Sequence, residues 1–126
     1  MHQKKLDVKV GLPMLARTTS AGGTAIDLKA YIHTGGREMK AFFACLAPLT
    51  ASTLDVTIQD NTTSGASGFT DITSAAFTQV AGTAAVTGEE IHFKTNKRYV
   101  RAYATFGTTA TSITFGTWIL TEARMV

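Results

Sequence analysis

Three histidines, one cysteine, six serines and nine acidic residues are the groups in this 126-residue chain that could carry chemistry. His2, His33 and His92 stand far apart. They form no HxH or HxxxH pair, the spacings that set two imidazoles on one side of a strand or helix to share a metal. Cys45 has no CxxC neighbour and lies in the apolar run MKAFFACL, where a thiol acts as a small hydrophobe. No serine occupies a GxSxG elbow, so an activated nucleophile has no support in the sequence. Glu89 and Glu90 are neighbours at a strand start; their side chains should diverge, whereas glycoside hydrolysis needs two carboxyl groups facing each other across a cleft. No glycine-rich phosphate loop is present. These absences predict a non-enzyme with no cofactor and no metal site.

Two segments imitate sites. Asp60, Thr62, Ser64, Gly65 and Asp71 follow the spacing of a calcium loop, but such a loop wants stronger ligands at its third and fifth positions, a bidentate glutamate at its end and flanking helices. Strands flank this one, which predicts a plain hairpin loop. Asn61-Thr62-Thr63 is a formal glycosylation acceptor, and without a signal peptide it is read as a chance match. Lys94, Lys97, Arg98 and Arg101 are the nearest approach to a basic patch. Lys97 and Arg98 are expected at a turn and Arg101 on the solvent side of the next strand. A net charge of +3 is too small for a dedicated nucleic-acid binder, so the four read as a solvated strand end or the rim of a protein contact.

Most of the chain is scaffold. Threonine supplies 22 residues, alanine 18 and glycine 11, while charged residues make up 17%. Threonine is β-branched and suits a half-buried pleated surface better than a helix. The apolar share of 44% is enough to bury a core. No apolar run approaches the roughly 20 residues of a membrane span, and one cysteine cannot form an internal disulfide, which fits assembly in a reducing cytoplasm. Period-two alternation predicts strands over 1–10 (with Leu6, Val8 and Val10 on one face), 25–32, 54–59, 98–106 and 112–121. Residues 39–46 read as a central strand covered on both faces. Shorter strands are expected around 69–72, 75–80 and 91–94. About eight short strands at this spacing mean one all-β domain over 1–126, a β-sandwich or barrel. Residues 11–23 have no period and carry Pro13, Gly22 and Gly23; they read as a long loop or arm.

Two stretches carry a resemblance. One runs from LDVTIQDNTTSG (54–65) through FTDI (69–72) to Ala76-Phe77-Thr78. The other is RYVRAYATFGTT (98–109), followed by the alternating strand 112–120. In this order they resemble small structural proteins encoded near the capsid genes of tailed bacteriophages, over some 70 residues, mostly 54–120. The resemblance implies a β-sandwich of jelly-roll type and a place in the virion, most often as a head decoration or cement protein. A neck, tail or fibre protein is the alternative, and a carbohydrate-binding β-sandwich using Tyr31, Tyr99, Tyr103 and Trp118 is a further one. The partners expected are other copies of the chain, in a homo-oligomer, and the major capsid protein or another virion protein; no membrane and no specific nucleic acid is expected. Leu12, Met14, Leu15 and Arg17, in the 11–23 arm, are the residues expected to touch a partner, by ordering against a neighbouring subunit.

Overall fold

The structure is a computed structural model and describes residues 3–28, 37–47, 52–65, 67–82, 85–107 and 112–125. Among them are ten β-segments: β1 (Gln3–Arg17), β2 (Ala21–Gly22), β3 (Ile26–Asp27), β4 (Arg37–Cys45), β5 (Ser52–Asn61), β6 (Thr70–Ala76), β7 (Val80–Gly82), β8 (Val86–Thr95), β9 (Tyr99–Phe106) and β10 (Ile113–Met125). One sheet has the order β1-β10-β4-β8. The other runs β2-β9-β5-β6, with β3 also on β9 and β7 also on β5. All pairings are antiparallel. Because β2 and β3 share one partner and β6 and β7 another, the ten segments make eight strands. The pairs are first with last, second with seventh, third with sixth and fourth with fifth. This is a long hairpin rolled into two sheets, the jelly-roll form of the β-sandwich.

Alternation drives the packing. Leu54, Val56 and Ile58 on β5, Val100, Ala102 and Ala104 on β9, Met39, Ala41, Phe43 and Cys45 on β4, and Ile113, Phe115 and Ile119 on β10 are buried between the sheets. Phe43 lies 5.3 Å from Phe77 and 6.2 Å from Phe115, ring centre to ring centre, so the phenylalanines bridge the layers. Of the expected 25–32 strand, the described part carries β3 over two residues with Leu28 buried beyond it, and 29–32 lie outside the described residues.

Three expectations change. Residues 11–17 form no loop, because β1 continues through them on β10. Its register slips between Val10 and Leu12 and again between Leu12 and Leu15, and these irregularities erase the two-residue period. Pro13 is tolerated because β1 is an edge strand and the slip absorbs the missing N–H. Val8 and Val10 also face away from the core, 58% and 49% exposed: Val10 stands opposite Trp118 on the outer surface of the sheet. Finally, β4 is covered fully on one face only. Lys40 is exposed and Phe42 and Ala44 are half-buried.

Glycine is required where the layers meet. A Cβ on Gly23 would collide with the backbone carbonyl of Gly11, and one on Gly11 would meet Thr117 Oγ1 and Ala102 Cβ. On the opposite side the sandwich is closed by Glu89, whose carboxylate accepts the Thr78 N–H and hydroxyl at 2.9 Å each.

Candidate functional site

The residues expected to touch a partner divide. Leu12 is buried in the core, and its N–H donates to Thr117 Oγ1 at 2.8 Å. Met14 and Leu15 are exposed at 41% and 46%. Arg17 folds back on its own strand: its guanidinium donates to the carbonyls of Pro13 (2.8 Å), Leu15 (3.3 Å) and Phe115 (3.1 Å). It also lies 4.8 Å over the Phe115 ring, where burial lowers its pKa from the ordinary value. Two of the four, Met14 and Leu15, therefore present apolar surface, while Leu12 and Arg17 hold the bulged strand in place.

The imitation sites resolve into structural contacts. Asp60 is buried, accepts the Thr95 hydroxyl at 2.8 Å and pairs with Lys97 at 3.2 Å. Asp71 stands on β6 and accepts from Gln59 at 2.9 Å and Thr57 at 3.3 Å. Thr62, Ser64 and Gly65 are exposed in the loop between them, which is pinned by the Asn61 amide on the Ser67 carbonyl at 2.9 Å and by Gly68, whose φ of +94° favours glycine. Among the described residues no group of three or more His, Cys, Asp or Glu is placed to hold a metal ion. Glu89 and Glu90 diverge: the first binds Thr78, the second accepts from Lys40 (3.3 Å) and His92 (3.2 Å). His2 and His33 lie outside the described residues. Cys45 is buried, its thiol donates to the Leu46 carbonyl, and burial raises its pKa.

Three of the four basic residues are engaged likewise, while Lys94 is exposed on β8. Lys97 binds Asp60. Arg98 makes a two-pronged pair with Asp27 at 2.9 Å per bond, which raises its pKa. Arg101 donates to Gln59 Oε1 at 2.8 Å and lies 4.4 Å over Phe69 and 5.1 Å over Tyr103. Phe69, Asp71, Gln59 and Arg101 thus interlock on the outer surface of the β2-β9-β5-β6 sheet, a cluster the separate motifs left unconnected. Tyr99 and Tyr103 stand on that sheet and Trp118 on the other, so they make no aromatic row; Tyr31 lies outside the described residues.

One surface was missed by reading single periods. Where Val10, Trp118 and Phe42 stand side by side on β1, β10 and β4, the outer face of the four-stranded sheet is apolar. The signal is an apolar residue at both parities of the same strand, as in AFFAC and TWIL. No protein-family model and no curated protein matches the chain in sequence.

Proposed function

We propose that the protein is a non-enzymatic virion structural protein, a decoration or cement protein that binds the head of a tailed bacteriophage and ties neighbouring capsid subunits together. The observation that carries this reading is the use made of the residues behind the resemblance. Gln59, Phe69, Asp71 and Arg101, drawn from its two separate stretches, form one interlocked cluster that fastens β5, β6 and β9 to one another. Such a contact stiffens the sheet, as suits a module that serves by holding other proteins rather than by moving. The jelly-roll sandwich, low in charge and with an apolar outer face, supplies the surface for that work.

A protein that spans neighbouring subunits stabilises the lattice by mass action, since its site is lost when they separate. Particles lacking it should assemble and then break at a lower temperature than particles saturated with it. Equal thermal stability of the two would overturn the cement role. Labelled protein should decorate the head in a regular array; label confined to one vertex or to the tail would instead place it in the neck, tail or fibre. The separation of Trp118 from Tyr99 and Tyr103 on different sheets weighs against the carbohydrate-binding alternative.

A further inference from the structure

A sheet ends at strands whose outer backbone N–H and C=O groups lack a strand partner, and such an edge invites another strand unless the sequence blunts it. Three of the four margins of this sandwich are blunted. β1 carries Lys4, Lys5 and Lys9, and Pro13 and two register slips interrupt it. β6 is broken opposite Thr57–Gln59 by a bulge in which Ser74 takes a φ of +65°. β2 and β3 span two residues each, with a gap between them. The fourth margin is β8. From Glu89 to Thr95 it keeps unbroken register with β4, contains no proline and has β4 as its one strand partner among the described residues. On this run Phe93 and Thr95 are buried and Ile91 half-buried on the inner side, while Glu90, His92 and Lys94 are exposed on the outer side.

We propose that this edge pairs with the same edge of a second copy, β8 antiparallel to β8 about a two-fold axis at His92, so that two β1-β10-β4-β8 sheets become one continuous sheet. A two-fold contact must be complementary to itself, and this strand is. With His92 beside its own copy, Glu90 stands opposite the partner's Lys94, and Lys94 opposite the partner's Glu90. On the inner side Ile91 stands opposite the partner's Phe93, so each copy covers the half-buried isoleucine of the other. Opposed residues of an antiparallel pair share a face with their Cβ atoms about 5 Å apart, within reach of ion pairs and apolar contact. The neighbouring registers fail. An axis at Ile91 sets Glu89 against the partner's Phe93 and Lys94 against the partner's Gly88; an axis at Phe93 sets Lys94 against the partner's His92. Glu90 is held on the outer surface by Lys40 at 3.3 Å and His92 at 3.2 Å, and Glu89, the other acid of the run, is taken up by Thr78. The charge pattern names the occupant. Main-chain bonds would accept any extended strand, but the opposing strand needs a cation and an anion four residues apart, and a second copy brings both. The inference rests on the edge of β8 and stands whether or not the virion reading does.

The test uses the purified full chain at about pH 8, where histidine is ordinarily neutral. Sedimentation velocity from about 1 to 200 µM should show a monomer becoming a dimer. Glu90→Lys and Lys94→Glu each set like charges against each other across the axis. Each should weaken the dimer at least tenfold while the far-ultraviolet spectrum stays unchanged. Mixed in equal amounts, the two variants regain both ion pairs and should dimerise about as tightly as the wild type. Hydrogen exchange of the wild type needs no variant: as concentration rises, amides within 89–95 should gain protection, and those of β1 and β6 should not. Should Glu90→Lys lose the β spectrum, Lys94→Glu and the exchange pattern decide the matter. A monomer across the whole range overturns the proposal. So does an oligomer that both variants leave equally tight, a mixture of folded variants that recovers nothing, or protection that appears elsewhere than on β8. A dimer broken by Val10→Lys but not by Lys94→Glu would lie on the outer face of the sheet and overturn it as well.

Discussion

Cys45 shows how much one residue's surroundings decide. It is buried on the inner face of β4, and desolvation raises its thiol pKa. The thiolate is the reactive form, so the native protein should react with a disulfide reagent only as fast as it opens. The sign for stability follows from linkage: the folded state holds this proton more tightly than the unfolded chain does. The contribution is therefore fully present below the unfolded thiol's pKa of about 8.5 and is lost as pH rises through the raised folded value. Urea midpoints measured at neutral and at strongly alkaline pH should fall further for the wild type than for Cys45→Ala. Equal falls would show that the thiol titrates alike in both states. The burial of Cys45 was legible, because every neighbour of the thiol in AFFACL (41–46) is apolar. The pairing of Arg101 with Phe69 and Gln59 was not. Arg101 and Gln59 lie on β9 and β5 and Phe69 just before β6, and no local pattern reports which strands become neighbours.

At the scale of the element, β1 separates what alternation can reveal from what it cannot. Strands with a steady period, such as β5 and β9, are visible in the sequence with their inward faces: Leu54, Val56 and Ile58 on one, Val100, Ala102 and Ala104 on the other. The second half of β1 was hidden because two register slips shift the parity of its side chains, leaving Leu12 inward while Met14 and Leu15 stay exposed. Read as an arm, residues 11–23 should be removable without harm to the fold. With Leu12 in the core and Gly23 packed on Gly11, the segment instead belongs to the sandwich. Deleting 11–23 should abolish cooperative unfolding. Leu12→Ala should cost about 2–5 kcal/mol in a denaturant titration, against within about 0.5 kcal/mol for the exposed Met14→Ala. Equal small effects at both positions would restore the arm.

For the whole molecule, the rolled hairpin makes the ends of the chain depend on each other. β10 lies between β1 and β4, so the last strand is the centre of one sheet and the first strand has no sheet until the last arrives. Contacts this distant in sequence close slowly, which places folding in the millisecond-to-second range typical of all-β domains. They also leave no half of the molecule with a core of its own. Phe43 and Phe115 from one sheet meet Phe77 and Phe106 from the other side of the same core, and the layers are sealed along both margins by the Gly11–Gly23 approach and the Glu89–Thr78 contact. The two sheets should therefore unfold together. Trp118 reports on the β1-β10-β4-β8 sheet, and the tyrosine signal of Tyr99 and Tyr103 on the β2-β9-β5-β6 one. Phe115→Ala, which empties the point where the rings converge, should lower stability by about 3–5 kcal/mol and move both signals by the same amount. If the tryptophan transition moved while the tyrosine transition stayed in place, the sheets would be separate folding units, and the shared aromatic core could not be what holds the sandwich closed.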